Sequence, residues 1–242
     1  QPQMKEAQEM LEEVLVRLAR QIVADARRSG DRVGGNPEVE AFNELLNLYD
    51  SQPSLNIRSS DSMADQAYST PAPLAFLAAR SAGVGNQTKV YEPTAGNGML
   101  LITTSPENVI ANEWASSRAA VLIKQGFEVT QVNATGALPK ASGMDAVLAN
   151  PPFGSLDKPT KVDGYTIKKI DHLIAANALS TLKDSGRATL ILGAGLKAGE
   201  INNTDMIFFN WLYSHYNVVD HFEVSGKTEG NRLRNVFDVT SE

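Results

Sequence analysis

The apolar positions near the start of the chain recur with the period of an α-helix. In residues 4–28 they lie three or four positions apart, with Glu and Arg between them, which predicts one amphipathic helix. A second helix is predicted from Asn36, as its N-cap, and Pro37, as its first residue, to about Tyr49. We expect this helical hairpin to pack on the rest of the chain or on a neighbouring domain, with a role in DNA contact as the alternative.

A polar stretch separates these helices from the remainder. Residues 50–66 are rich in Ser, Asp and Gln and predict a linker or loop. We therefore divide the chain into an N-terminal helical extension, residues 1–60, and a second domain, residues 61–242. Beyond the linker, Thr70 is expected to cap a helix that ends near Ala82.

Short apolar runs then alternate with helical patterns, which is typical of an α/β fold with a mostly parallel sheet. The run at 144–149 is aliphatic with no charge after Asp145, which predicts a strand buried on both faces. The last two runs are expected to form an antiparallel pair. The seven predicted strands are 89–91, 109–114, 127–132, 144–149, 187–192, 218–224 and 236–239, and the predicted helices among them are 116–125, 171–183 and 206–215.

The composition excludes several classes of chemistry. The chain has 242 residues, 42% of them apolar, with no cysteine and three histidines. Thiolate nucleophiles, iron–sulfur clusters and cysteine-based zinc sites are therefore excluded, and without close metal-ligand spacing we expect no metal site. No apolar run is long enough to predict a membrane span. The lack of cysteine fits a cytoplasmic protein, and a chain that begins at Gln1 fits a piece of a longer polypeptide.

One tetrapeptide carries the strongest candidate chemistry. Asn150, Pro151, Pro152 and Phe153 directly follow the run at 144–149, and the two prolines end the strand in a stiff direction. In an open α/β sheet, ligands bind just beyond the carboxyl ends of strands. An amide, proline carbonyls and an aromatic face suit a planar group that bears an –NH2. Taken alone, these residues also fit an ordinary strand-ending turn.

A second candidate site follows the strand at 89–91. Glu92 precedes a turn with Gly96 and Gly98, which let a ligand approach the backbone closely, and a helix is expected to follow. The dinucleotide fingerprint Gly-x-Gly-x-x-Gly is absent. Glu113 ends the next strand, 21 residues after Glu92, where α/β nucleotide folds place a carboxylate on ribose hydroxyls.

The segment after Phe153 is polar and is predicted as a loop. It carries Lys158, Lys161, Lys168 and Lys169, which are either solvated or placed to touch phosphates beside the site. The net charge of −6 argues against a surface that binds nucleic acid throughout, but it leaves such a local patch open.

The order of these motifs resembles that of the class I S-adenosylmethionine-dependent DNA adenine-N6 methyltransferases, in a gamma-like arrangement. The likeness covers about residues 66–240. Residues 170–174 and 186–193 are also similar to methylase domains fused to helicase-like regions in phage and plasmid anti-restriction proteins. The motifs are Tyr-Ser-Thr-Pro at 68–71, Glu-Pro-x-x-Gly-x-Gly at 92–98, the acidic strand end at 113 and Asn-Pro-Pro-Phe at 150–153.

The resemblance implies a Rossmann-like methyltransferase sheet, S-adenosylmethionine as cofactor and DNA as partner. Such families often carry Asp at the position of Asn133 and Tyr at that of Phe153. The implied cofactor contacts are Tyr68, Ser69 and Thr70 over the methionine end, Glu92, Thr94, Ala95, Gly96 and Gly98 at the amino acid moiety, Glu113 on the ribose hydroxyls, Trp114 against the adenine, Asn133 at the adenine amino group, and Asn150 beside the transferred methyl.

The resemblance also implies a mechanism. The target adenine is flipped out of the duplex and stacks on Phe153. The side-chain oxygen of Asn150 and the carbonyl of Pro151 accept its two amino hydrogens, with Pro152 stiffening the loop. Transfer of the methyl is direct, so positioning is the main catalytic factor. The lack of cysteine excludes cytosine-C5 methylation, which needs a cysteine nucleophile.

Several alternatives stay open. The same loop serves enzymes that methylate amines in RNA or the glutamine amide in protein, and a cytosine-N4 target usually goes with Ser at position 150. A non-catalytic module of a larger anti-restriction particle, packaged with a phage, is a further reading. No base-reading segment follows the last predicted strand, so we expect either low sequence specificity or a separate recognition domain.

Overall fold

The helices lie at the start of the chain and between the strands. None of those in the described part of the chain has the length and apolar content needed to cross a membrane. The computed structural model describes residues 2–33, 36–52, 69–136, 141–193, 196–197, 200–222, 224, 227–228 and 231–232. Its α-helices are α1 (Pro2–Val33), α2 (Pro37–Ser51), α3 (Ala72–Ser81), α4 (Ser116–Lys124), α5 (Ile170–Leu179) and α6 (Asn203–His215).

Five parallel strands form the central sheet, in the order β3-β2-β1-β4-β7. This is the order of doubly wound, Rossmann-like α/β folds, and it confirms the predicted fold class. The remaining strands form two-stranded antiparallel pairs, β5–β6, β8–β9 and β10–β11. The strands are β1 (Val90–Glu92), β2 (Val109–Asn112), β3 (Glu128–Thr130), β4 (Met144–Ala149), β5 (Ser155–Val162), β6 (Tyr165–Lys169), β7 (Leu182–Leu190), β8 (Leu196–Lys197), β9 (Glu200–Ile201), β10 (Lys227–Thr228) and β11 (Asn231–Arg232).

Strand β4 is buried on both faces, as its unbroken apolar run predicts. Successive side chains of a strand point to opposite faces. Ala146 and Leu148 accordingly join the core under α1, α2 and α3, whereas Val147 and Ala149 join a core with Ala178 of α5. Helices therefore cover both faces of the sheet, and in open sheets of this kind ligands bind beyond the carboxyl ends of the strands.

Helices α1 and α2 share the core of the sheet. Val16 and Leu45 are fully buried in it. Arg20 of α1 also donates hydrogen bonds to the carbonyl oxygens of Leu101 (2.7 Å) and Thr104 (3.2 Å), which lie between β1 and β2. Part of the apolar surface of these helices thus packs on the rest of the chain, whereas Met10, Val14 and Leu18 of α1 are exposed.

The segment predicted as a loop after Phe153 is a β-hairpin instead. Strands β5 and β6 pair antiparallel, and Asp163 and Gly164 join them with φ values of +48° and +88°. Positive φ at both turn positions matches the right-handed twist of the strands, and Asp-Gly is a favoured sequence there. This dipeptide is the local signal that the loop prediction overlooked.

Two element boundaries also differ from the predictions. Helix α5 ends at Leu179 and β7 begins at Leu182, because the strand continues through 184–186 with an irregular register opposite β4. After the glycine turn the chain forms one 3₁₀ turn, Met99–Leu101, rather than an α-helix.

The predicted antiparallel strand at 218–224 is absent from its described part. Residues 218–222 have no strand structure, and Val219 and Phe222 are 84% and 71% exposed. No strand in the described part of the chain lies beside them, so the apolar run alone does not form a strand. The predicted partner at 236–239 lies outside the described residues.

Candidate active site

The two candidate motifs meet at the edge of the sheet where the strand order reverses. The chain runs outward from β1 through β2 and β3, then returns to the other side of β1 as β4. Open α/β sheets bind ligands in the crevice at this switch point, beyond the carboxyl ends of the strands. The glycine turn follows β1 and the Asn-Pro-Pro-Phe loop follows β4. The topology therefore places both motifs at one crevice.

Backbone hydrogen bonds fix the glycine turn. The N–H of Ala95 donates to the carbonyl of Asn112 (2.8 Å), and the N–H of Gly98 donates to the carbonyl of Ala95 (2.8 Å). Gly96 and Gly98 have φ values of +55° and +93°, which other residues rarely adopt. A methyl group on Gly98 would lie 3.0 Å from Leu122, whereas one on Gly96 would meet nothing within 4 Å. Gly96 thus borders open space.

Three side chains of this turn have a buried polar atom without a hydrogen-bond partner among the described residues. The atoms are Oε2 of Glu92, the Thr94 hydroxyl and Oδ1 of Asn97. Glu92 is only 2% exposed. Burial, and secondly the charge of Glu113, raise the pKa of Glu92 well above its ordinary value. Because buried polar groups are normally hydrogen-bonded, these orphan atoms suggest that a ligand completes the site.

The second carboxylate, Glu113, is buried, and both of its oxygens accept hydrogen bonds. Its Oε2 accepts from the N–H of Gly96 (2.8 Å), and its Oε1 accepts from the N–H of Ala115 (2.8 Å). Arg118 adds two hydrogen bonds to Oε1, at 2.8 and 3.1 Å. The next residue, Trp114, is 67% exposed beside it. Glu113 therefore links the glycine turn to the start of α4.

Asn112, which the sequence did not single out, ties three strand ends together. Its side-chain nitrogen donates to the carbonyls of Pro93 (3.0 Å) and Val132 (2.9 Å). Its side-chain oxygen accepts from the Thr130 hydroxyl (2.8 Å) and the Val132 N–H (3.0 Å). The side chain is 1% exposed and all its hydrogen-bonding capacity is used. Its position in the sequence, next to Glu113 at the end of a predicted strand, could have identified Asn112 as a residue of the site.

Asn133 lies on the surface after β3. Its side-chain oxygen accepts from the N–H (3.0 Å) and the hydroxyl (2.8 Å) of Thr135. The oxygen is thus committed to a local turn, which leaves the side-chain nitrogen as the group available to a ligand.

Asn150 contacts the Ser-Thr-Pro segment across the crevice. Its side-chain nitrogen donates to the hydroxyl of Thr70 at 2.9 Å, a link between residues 80 positions apart. Thr70 is buried, and Pro71 rather than Thr70 is the N-cap of α3. Ser69 precedes it half-buried, and Tyr68 lies outside the described residues. Because the nitrogen is engaged by Thr70, the Asn150 oxygen is the atom left to accept from a substrate.

Phe153 packs on Gly193, another residue that the sequence did not single out. A methyl group on Gly193 would lie only 3.0 Å from Cγ of Phe153. The N–H of Gly193 donates to Oδ2 of Asp171 (3.1 Å), and its carbonyl accepts from Lys169 (3.0 Å). The peptide behind the aromatic ring is therefore held from both sides.

The same lysine belongs to a buried charged cluster. Lys169 lies 2.5 Å from Oδ1 of Asp205, and Nε2 of His172 lies 3.4 Å from the same oxygen. His172 stacks on Phe208, with ring centroids 4.3 Å apart. Burial raises the pKa of Asp171 to about 6, whereas burial and then the Lys169 charge lower that of His172 to about 4. His172 is therefore neutral at physiological pH. Across the described part of the chain, no group of three or more acidic or histidine side chains could hold a metal ion.

Comparisons with known proteins give distant likenesses only. No protein-family model and no curated protein matches the chain. TrmN from Thermus thermophilus is 19% identical, over 60% of this chain and 42% of its own, with a TM-score of 0.40. A modification subunit assigned to a type I restriction enzyme of Vibrio vulnificus is 14% identical, over 66% and 39%, with a TM-score of 0.42.

Coclaurine N-methyltransferase, solved with N-methylheliamine and SAH, is 14% identical, over 77% of this chain and 62% of its own, with a TM-score of 0.35. The chain thus spans less than two thirds of the length of each of these three structures. The case for a function rests on the geometry of the chain itself.

Proposed function

We propose that the chain is an S-adenosylmethionine-dependent methyltransferase that acts on the exocyclic N6 amine of adenine in DNA. One observation carries the proposal. At the switch point of the sheet, the glycine turn holds a buried Glu92 carboxylate whose Oε2 has no partner among the described residues, and it adjoins an Asn-Pro-Pro-Phe loop whose amide is hydrogen-bonded to Thr70. The first feature suits a cationic cofactor, and the second suits a planar amine.

The residues of the glycine turn fit this cofactor. Its α-ammonium group would supply the missing donor to Oε2 of Glu92, and a nearby cation would lower the pKa of that carboxyl again. Gly96 leaves open space for its amino acid end. Oε2 of Glu113 accepts one hydrogen bond, from the Gly96 N–H. Because a carboxylate oxygen can accept more than one, Oε2 would also accept from the ribose hydroxyls. Trp114 is exposed and would lie against the adenine. Because the Asn133 oxygen is engaged by Thr135, Asn133 would donate from its side-chain nitrogen to a ring nitrogen of the base rather than accept from the amino group.

The loop residues would position the substrate amine. Phe153 would stack on the flipped base, and Oδ1 of Asn150 and the carbonyl of Pro151 would accept its two N–H groups. When bound, S-adenosylmethionine supplies a methyl group on a positively charged sulfur, which keeps the bonding electron pair. The amine nitrogen forms the new N–C bond with its lone pair and then loses one proton to water. Alignment of that lone pair is the contribution of Asn150 and Pro151.

DNA adenine is favoured over other amines by the Tyr-Ser-Thr-Pro motif ahead of the glycine turn, which resembles that of the DNA adenine methyltransferases. The similarity of residues 170–174 and 186–193 to phage and plasmid methylase domains supports a role in protecting DNA against restriction.

The experiment uses labelled S-adenosylmethionine with unmethylated DNA, RNA or a glutamine peptide, and detects N6-methyladenine by mass spectrometry. We expect label on DNA. Asn150→Ala should lower kcat by at least about 100-fold, as loss of one positioned catalytic hydrogen bond does, with cofactor affinity kept. Label on RNA or peptide alone, or on none of them, would overturn the proposal. Loss of cofactor binding in the variant would contradict the role of Asn150.

A further inference from the structure

The β5–β6 hairpin is a rigid projection beside the Asn-Pro-Pro-Phe loop. It begins two residues after Phe153 and packs on α6. Trp211 donates to Asp163 at the hairpin turn (2.9 Å), and Tyr165 is hydrogen-bonded to Ser214 (3.4 Å). Ile167 of β6 is 1% exposed in the core beneath. The outer face of the hairpin is therefore presented in a fixed position.

The strand register places two lysines on that outer face. Lys161 pairs with Thr166, and Lys168 follows on the same side of β6. Ile167 points the other way, into the core. Diagonal neighbours of this kind lie about 7–8 Å apart. Lys158, before them in β5, is also exposed.

We refer to Lys158, Lys161 and Lys168 as the hairpin lysines. None of them forms an ion pair with a carboxylate in the described part of the chain. The hairpin also contains Asp157 and Asp163. The Asp163 carboxylate is directed toward α6, where it accepts from Trp211 and lies 3.6 Å from Nε2 of His215. A protein of net charge −6 thus carries a local positive strip beside its candidate site.

An open depression of about 460 Å³ lies between the hairpin and the start of α6. Ser155, Lys168, Asn203 and Thr204 contribute polar groups to its lining. Ser155 pairs with Lys169 across the hairpin, so this end of the hairpin adjoins the loop that holds Phe153. A polyanion that crosses the strip would therefore also pass the proposed base-binding ring.

We propose that the hairpin lysines bind the phosphates of the nucleic acid strand on either side of the flipped base. The inference rests on the proposed function, and it narrows the substrate class: a glutamine amide in a protein would gain nothing from this strip, whereas DNA or RNA would. Phosphate contacts of this kind position the strand without reading its sequence.

The test measures binding of a labelled single strand, a DNA duplex and an RNA of the same sequence, by anisotropy over a range of salt concentrations, without cofactor. The variant is Lys161→Gln with Lys168→Gln. Lys124→Gln is the matched control, because Lys124 is exposed at the end of α4, which leads to the opposite edge of the sheet. Unchanged melting temperatures would show that both variants fold.

We plot the logarithm of the association constant against the logarithm of the salt concentration. For each lysine removed, this negative slope should become shallower by about 0.7–0.9, and binding at low salt should be weaker. In the double variant, KM for DNA should also rise while kcat stays constant. The Lys124→Gln control should match the unaltered protein in both measurements. An unchanged slope in the double variant, or absence of nucleic acid binding by the unaltered protein, would overturn the inference.

The two proposals fail separately. DNA methylation that does not depend on these lysines removes only the hairpin inference. Lysine-dependent binding without methyl transfer removes only the proposed reaction. Tighter lysine-dependent binding of RNA than of DNA would assign the strip to an RNA strand.

Discussion

The two glycines of the β1 turn provide a matched pair for a test of the site. Alanine at either position must adopt a positive φ, which costs about 1–2 kcal/mol in the left-handed region. Gly96, at +55°, lies near the centre of that region and a methyl group there meets nothing within 4 Å. We therefore expect Gly96→Ala to lower the free energy of unfolding by about 1 kcal/mol.

Gly98→Ala should be more destabilising. Its φ of +93° lies outside the favoured left-handed region, and the added methyl group would lie 3.0 Å from the fully buried Leu122. Overpacking of this kind adds about 1–3 kcal/mol, so we expect a total near 3 kcal/mol. The difference of about 2 kcal/mol corresponds to roughly 0.7 M in the urea midpoint if the m-value is near 3 kcal/mol/M.

Cofactor affinity should show the opposite order. Titration of each folded variant with S-adenosylmethionine, by calorimetry, should show at least about tenfold weaker binding for Gly96→Ala, because its methyl occupies the space proposed for the cofactor. The Gly98→Ala methyl would point toward Leu122 in the core, so the expected contact of Gly98 with the cofactor is through its backbone, and the loss of affinity should be smaller than in Gly96→Ala. Equal losses of stability in the two variants would refute the packing argument. Full cofactor affinity in Gly96→Ala would refute the proposed placement of the cofactor.

Two further substitutions test the buried network and the charged cluster. Asn112→Ala removes four hydrogen bonds, one buried and three partly buried. It should lower the free energy of unfolding, measured in urea, by roughly 4 kcal/mol, and a loss below about 1 kcal/mol would contradict its role at the strand ends. Burial raises the pKa of Asp171 from 3.8 to about 6. The stability that the protonated carboxyl contributes is therefore fully present below about pH 4. As the pH rises from there through 6, the free energy of unfolding falls by roughly 3 kcal/mol. Asp171→Asn should therefore gain stability relative to the unaltered protein over this range, and parallel pH–stability curves would count against the raised pKa.

The sequence alone determined the features that depend on neighbouring residues. An aliphatic run followed by two prolines predicted β4 and the loop at Asn150 correctly, because burial pattern and the fixed φ of proline act locally. Gly96 and Gly98 marked the turn after β1 for the same reason. The Asp163-Gly164 turn was also readable, although the surrounding polar residues concealed it.

Only the tertiary structure decided which distant residues meet. The hydrogen bond from Asn150 to Thr70 spans 80 positions, and the contacts of Gly193 with Phe153 and Asp171 join a strand end to a loop and a helix. Such contacts depend on strand order and register, which short-range patterns do not encode. The sequence therefore located the loop and the turn as candidate chemistry. The fold brought them to one crevice, left Oε2 of Glu92 there without a partner in the described part of the chain, and set the hairpin lysines beside it.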